Sequence, residues 1–274
     1  MTVDLHVHTT ASDGLVAPAD VIACALNLGL RVISITDHDS VEGVAEAIDA
    51  ARGTALDVLP GVELSVRADD GADVHLLGYL IDHLDLTLLK ALERLRAARF
   101  ERAAEMVAAL AKAGHEVGLE SVLGHAAGGA VGRVHVARAL VEAGSVTDVE
   151  QAFAELIGRD GPFYVHKAFF SAQEALALIH HAGGVAVLAH PGVTGDGALV
   201  RLMDLGLDGI EAFHAEHAPA QRAHFASVAK RFGLVTTGGS DFHGPGMRSA
   251  ALGAGACPAG AVEALRERAT ILRP

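Results

Sequence analysis

A chain of 274 residues that is 51% hydrophobic is long enough to bury one large core. Its 34 acidic against 21 basic residues give a formal net charge of -13, which argues against a nonspecific grip on duplex DNA or an acidic membrane surface. Cys24 and Cys257 are too few for a disulfide framework, and Cys24, inside an apolar helical pattern, is expected to be buried. No signal peptide or membrane-length apolar run is visible, so a soluble cytoplasmic protein is expected.

The first strand signal covers residues 3–7 and continues to His8. Alternate side chains of a strand share a face, so His6 and His8 point one way while Val3, Leu5 and Val7 point the other. Further strand-sized runs fall at 32–36, 57–64, 74–80, 185–189, 209–213 and 234–237. Helical patterns separate most of them, at 19–28, 41–52, 172–182, 198–205, 220–232 and 259–269. Ser171 with Glu174 reads as a capping box opening one of these helices. This alternation predicts an α/β fold with mainly parallel strands, and its strand number suggests a barrel.

Residues 84–168 break the rhythm with a long charged helix over 86–113, a Gly-rich stretch over 124–132 and further helical patterns. No strong strand signal appears there before 163–165. Residues 1–83 and 169–274 therefore read as the barrel, and 84–168 as a helical insertion. Arg94, Arg96, Arg99 and Arg102 on the long helix alternate with Glu93, Glu101 and Glu105, which predicts a solvated, ion-paired face. Phe163, Tyr164, Phe169 and Phe170 are expected to serve core packing.

Metal-ligand residue types recur where strands end or begin. His6, His8 and Asp13 accompany the first strand, His38 follows the second, Glu63 lies on the third and His75 begins the fourth. His190 ends the fifth, His214 follows the sixth, and Asp241 with His243 follows the seventh. In an α/β barrel the carboxyl ends of the strands meet on one face, so these residues converge. Nitrogen and oxygen donors without thiolates suit Mn, Fe, Zn or Co, in numbers sufficient for two or three ions sharing a bridging carboxylate. Asp4 is read as a hydrogen-bond partner behind the ligands. His180, His181, His217 and His224 are read as surface histidines on helical patterns.

The runs Asp4-Leu5-His6-Val7-His8-Thr9, Ile35-Thr36-Asp37-His38-Asp39, Pro60-Gly61-Val62-Glu63, Ala189-His190-Pro191 and Gly239-Ser240-Asp241-Phe242-His243 together resemble the PHP (polymerase and histidinol phosphatase) family. The resemblance implies a distorted seven-stranded (β/α)7 barrel with three divalent metals, Mn foremost and Fe or Zn as alternatives. It places His6, His8, Glu63 and Asp241 on the first metal and Glu63, His75 and His190 on the second. Asp13, His38 and His243 fall on the third, with Asp13 standing where many relatives carry His. Three divalent ions, offset by Glu63, Asp13, Asp241 and a bridging hydroxide, leave a charge of about plus two, which suits a phosphate dianion on an acidic protein.

Gly132-Arg133-Val134-His135, inside the insertion, resembles the motif of a PHP subgroup of standalone phosphoesterases. That subgroup acts on nucleoside 3',5'-bisphosphates and on short single-stranded RNA from the 5' end. The resemblance implies that Arg133 and His135 hold a substrate phosphate, with Arg248 as a further phosphate contact. It implies attack by a metal-bridging hydroxide, Arg133 stabilising the phosphoryl charge and His214 assisting the leaving oxygen. A histidinol-phosphate phosphatase or other small-molecule phosphomonoesterase and an inactive metal-binding scaffold are the rival readings. An amidohydrolase also opens with His-x-His, but no Lys stands at a strand end to be carboxylated.

Overall fold

The structure, a computed structural model, describes residues 2–68, 71–193, 196–246, 250–255 and 257–272. The first half of the chain forms β1 (Val3–Val7), α1 (Pro18–Asn27), β2 (Val32–Ile35), α2 (Glu42–Ala51), β3 (Asp57–Arg67) and β4 (Asp73–Tyr79). Helices α3 (Leu86–Lys112), α4 (Leu119–Ala126), α5 (Arg133–Glu142) and α6 (Val149–Gln151) follow, the last running into a π-helical turn over Ala152–Ile157. The chain then returns through β5 (Phe170–Ser171), α7 (Ala172–His181), β6 (Val185–Leu188), α8 (Asp196–Asp204), β7 (Gly209–Ile210), α9 (Pro219–Phe232), β8 (Val235–Thr236) and α10 (Ala261–Leu272).

The result is an α/β fold on one curled sheet of order β1-β2-β3-β4-β6-β7-β8, with β5 beside β3. Strands β1, β2 and β6 are buried along their whole length; β6 is wholly apolar, whereas β1 and β2 also bury Asp4, His6 and Ser34. Past β8 the backbone runs beside β1: Gly238 O accepts from Leu5 N, and Asp241 N donates to His6 O at 2.9 Å. A Cβ at Gly239 would lie 2.6 Å from the His6 backbone nitrogen, so only glycine permits that approach.

The expectation of mainly parallel strands needs one correction. Strand β4 runs antiparallel to both β3 and β6. Its link from β3 is a short turn closed by Ala68 N donating to Ala72 O, too short for the crossover that parallel pairing requires. Residues 163–165 form no strand; Phe163 and Val165 pack instead on a helical core. The Ser171–Glu174 capping box is present, each side chain accepting from the other's backbone N–H.

Two kinds of core meet along α3. Leu88, Leu92 and Leu95 pack with sheet residues such as Val62, Leu64 and Leu76. About two to four turns later Ala103, Met106 and Leu110 join Val122, Val136 and Leu140 in a core built wholly of helices. Arg99 and Arg102, expected in solvent, are 8% and 7% exposed because α3 turns this face onto the rim of the sheet. Cys24 is exposed, since the buried stripe of α1 consists of Val21, Ile22 and Ala25. Among the described residues no helix is long and apolar enough to cross a membrane.

Arg99 donates through Nε and Nη2 to Asp39 Oδ2, a fully buried carboxylate that also accepts from the backbone N and Oγ of Ser65. Arg99→Met would leave that buried charge without its ion-pair partner, with Lys167 as the remaining cation nearby. We expect a loss of roughly 3–5 kcal/mol of stability, measured by urea unfolding. A loss below about 1 kcal/mol would mean that Asp39 is compensated by water or by Ser65 alone.

Candidate metal centre

His6 on β1 and His8, the residue after its end, have no solvent exposure, and Glu63 on β3 is equally buried. His6 Nε2, His8 Nε2 and Asp241 Oδ1 lie 3.1–3.3 Å from one another. Glu63 Oε2 stands 3.4 Å from His6 Nε2, 3.2 Å from His8 Nε2 and 2.9 Å from His38 Nδ1. Its other oxygen, Oε1, stands 2.9 Å from His75 Nδ1 and 3.1 Å from His190 Nε2. On the far side of His8, Asp13 Oδ1 lies 3.4 Å from His243 Nε2 and 3.8 Å from His8 Nδ1. Ligand atoms of His8, Asp13, His38 and His243 form one compact group, as do those of His38, Glu63 and His75. Every metal-ligand residue expected from the sequence, Asp13 included, therefore reaches one cluster.

The cluster fits divalent metals on two grounds. Donors about 2.1 Å from a common ion are separated by about 3.0–3.4 Å, the edge of an octahedron or tetrahedron, and the spacings above fall near that range. Moreover, the Nδ1 atoms of His8, His38 and His75 and the Oε2 of Glu63 are buried without a hydrogen-bond partner, although carboxylates and imidazoles crowd around them. Such close but misaligned donor atoms are what ligands of shared ions present.

The electrostatics demand positive charge at the same place. Burial opposes ionisation of Glu63 and Asp241, yet the imidazoles of His38, His75 and His6 hold Glu63, and those of His6, His214 and His8 hold Asp241, well below the usual carboxylate range. In return His8 is pushed up to about 10, burial being outweighed by Asp241 and Glu63. His75, dominated by burial, drops to about 4 and stands ready as a neutral ligand. Backbone strain gathers here too: Asp39, His190 and Asp241 have φ of 50°, 27° and 54°.

Supporting groups hold the ligand loops. Asp37 accepts from Thr9 N, Thr9 Oγ1 and Ser12 Oγ, pinning the loop that carries Asp13. Asp4 accepts from Ser240 N and Gly253 N and so fixes the loop carrying Asp241. His217, expected on the surface, is 6% exposed and lies outside the helices: its Nδ1 donates to Ala212 O while its Nε2 accepts from Gly192 N. His181 and His224 are exposed, and His180 pairs with the buried Asp208 at 2.7 Å.

A cleft of about 210 Å³ opens beside His75 and His190 and is lined by Arg102, Arg133, Lys167 and Tyr164. Arg133 sits over the Tyr164 ring and donates to Ile157 O; Arg102 donates to Val165 O; Lys167 donates to Ser65 Oγ. Asp73, on the same wall, is already paired with Arg67 and Arg159. Burial lowers Lys167 to about 7 and Arg102 to about 10, with Arg99 adding to the first shift and Arg133 to the second. Arg102 and Lys167 were missed in the sequence. Arg102 looked like one more charge on a solvated helix, and Lys167 lies before β5 in a segment without periodicity.

His135 is 1% exposed; its Nδ1 accepts from Gly132 N at 2.9 Å, closing the first turn of α5 behind Arg133. His214 is buried beside Asp241, 3.6 Å from Oδ2. Arg248 lies outside the described residues.

Comparison with known proteins agrees with this geometry. The chain is 34% identical to a 5'-3' exoribonuclease of Haemophilus influenzae over 88% of this chain and 90% of the relative. It is 36% identical to a 3',5'-nucleoside bisphosphate phosphatase of Chromobacterium violaceum over 89% of this chain and 88% of the relative. A crystal structure assigned to a metal-dependent phosphoesterase of Bifidobacterium adolescentis superposes with a TM-score of 0.89 at 32% identity, covering 97% of this chain and 96% of that one. Residues 4–159 match the PHP domain, and the chain belongs to the PHP family.

Proposed function

We propose that the chain is a metal-dependent phosphoesterase that removes phosphate from nucleoside 3',5'-bisphosphates. The observation that carries this reading is the cationic cleft beside the ligand cluster. Among the described residues Arg102, Arg133 and Lys167 form no ion pair, although they share a wall with the ligands His75 and His190. Unpaired, largely buried cations next to a phosphate-sized cavity suit a second phosphate on the same substrate. A phosphomonoester such as histidinol phosphate would leave them unused.

His6, His8, Glu63 and Asp241 would hold one ion, Glu63, His75 and His190 a second, and Asp13, His38 and His243 a third. Bound there, divalent ions supply Lewis-acid charge at the phosphoryl oxygens and activate water at neutral pH. Arg133, with Arg102 and Lys167, binds the non-reacting phosphate and sets the ester in line, while His135 holds the turn that presents Arg133. His214 donates a hydrogen bond to the leaving oxygen, which takes its proton from solvent. Residues 84–168 act as a helical insertion that brings these cations to a metal centre built by the rest of the chain.

A second reading, cleavage at the 5' end of short RNA, draws on a larger groove of about 1230 Å³ beside Asp13, Asp241 and His243, lined by Val134 and Phe153 but also by the carboxylates Asp148, Glu150 and Glu216. That groove offers room for an oligonucleotide leaving group.

Assay of adenosine 3',5'-bisphosphate, histidinol phosphate and a 5'-phosphorylated RNA oligomer with Mn, alongside metal analysis, tests the reading. The bisphosphate should be turned over with the highest kcat/KM, and no hydrolysis of any of the three would overturn the assignment. Arg133→Ala should raise KM for the bisphosphate by about 10–100-fold, the worth of a charge-assisted contact, with metal content unchanged. Unchanged kinetics would remove Arg133 from the phosphate site.

Lys167 adds a pH signature. Its folded value of about 7 lies below the ordinary 10.5, so below about 7 it is charged in the folded and unfolded chains alike and its burial opposes folding. Between about 7 and 10.5 that penalty is relieved as pH rises. An anion in the cleft favours the charged amine, so binding above about 7 must take up a proton. Inhibition by sulfate, whose own charge is constant, should therefore weaken as pH rises from 6 to 9, and Lys167→Met should flatten that slope. An identical slope in the variant would assign the titration to another group.

A further inference from the structure

Glu211, which immediately follows β7, is a carboxylate with no solvent exposure. Its Oε1 lies 3.0 Å from His6 Nδ1, and its Oε2 accepts from the backbone N of His190 at 2.9 Å. Both oxygens are thus engaged. The first contact places the His6 proton on Nδ1 and leaves the Nε2 lone pair facing His8, Asp241 and Glu63, the tautomer being assigned from these hydrogen bonds. The second contact anchors a residue with φ of 27°, a left-handed conformation that a non-glycine residue adopts at a cost. That conformation directs His190 Nε2 to within 3.1 Å of Glu63 Oε1.

Resting on the metal-centre reading above, we propose that Glu211 is a positioning residue that aligns ligands of two adjacent ion positions at once, so that these two positions gain or lose affinity together. One carboxylate reaches the ring of His6 in the first position and the backbone of His190 in the second. Among the described residues its side-chain hydrogen bonds go to His6 and His190, whereas the donor atoms of Asp13, His38 and His243 group around His8. The third position is therefore independent of it. The pairing has a chemical cause that a glutamine exposes. Glu211→Gln keeps the shape but offers one acceptor oxygen and one NH2, so it serves either His6 Nδ1–H or His190 N–H and sets a donor against the other.

The test is Mn and Zn binding by the full-length wild type and Glu211→Gln, by calorimetric titration and metal content after gel filtration. The variant should lose about 10–100-fold in affinity at two positions in concert while one is retained, and the metal-dependent rise in Tm should shrink with the metal-free Tm nearly unchanged. Wild-type affinity at all positions, or uniform loss at all of them, would overturn the proposal. Absence of metal binding by the wild type would instead overturn the metal-centre reading itself. Should the variant fail to fold, ¹⁵N-histidine NMR of Zn-loaded wild type still decides. His6 should carry its proton on Nδ1 with a strongly downfield signal, and a proton on Nε2 would overturn the proposal.

Discussion

Glu63→Gln should reduce turnover of a phosphoester by at least about 10³-fold at saturating Mn, the largest effect expected of any single substitution in this chain. The residue is fully buried and its two oxygens face different imidazoles: His75 and His190 from Oε1, His6, His8 and His38 from Oε2. A glutamine retains one oxygen and turns an NH2 toward the other set, where ligand nitrogens already crowd. Both ion positions that share the carboxylate lose a ligand, or gain a donor where an acceptor is needed. Steady-state kinetics with metal analysis of the same sample checks this. A folded variant with turnover within tenfold of wild type would show that Glu63 does not bridge reacting positions.

The elements legible in the sequence were those whose chemistry and periodicity agreed. The alternation in β1 placed His6 and His8 on one side, and the strand-end positions of His38, His190, Asp241 and His243 sufficed to gather them on one face. Asp13 is a carboxylate among histidines, and its oxygen lies 3.4 Å from His243 Nε2. What escaped was set by tertiary contact. Strand β4 has the same apolar character whichever way it runs, so only the short link from β3 reveals its antiparallel pairing. Arg99 and Arg102 share the helical spacing of solvated charges, and nothing local shows that α3 lays them against Asp39 and the cleft. Lys167 and Glu211 matter because of partners about a hundred and about two hundred residues distant in the chain, Ser65 and His6.

This division of labour makes the long helix the mechanical link of the site. Arg99 ties α3 to Asp39, the residue after His38, and Arg102, one turn on, lines the cation cleft. Ser65 donates to Asp39, accepts from Arg99 and Lys167, and stands two residues from Glu63. A shift of α3 would therefore disturb metal ligands and substrate cations in the same movement. Substrate affinity should follow the Arg99–Asp39 pair even though neither residue is assigned to touch substrate.

His214→Ala should lower kcat on the bisphosphate by about 10²–10³-fold, the usual worth of a hydrogen-bond donor aimed at developing charge, with KM and metal content little changed. The argument rests on which ring nitrogen carries the proton. His214 Nδ1 accepts from Glu216 N at 3.2 Å, which puts the proton on Nε2 in the neutral ring. That Nε2 is buried, makes no hydrogen bond, and stands 3.6 Å from Asp241 Oδ2. A protonated Nε2 cannot serve as a metal ligand, but it can donate to an oxygen that gains charge as the ester bond breaks. The effect should therefore depend on the leaving group. A ribose alkoxide localises the developing charge and depends on that hydrogen bond, whereas p-nitrophenolate spreads it over its ring, so the variant should lose about tenfold or less on p-nitrophenyl phosphate. Equal losses on both substrates, or loss of one ion per chain, would make His214 a ligand or a packing residue and remove it from the leaving oxygen.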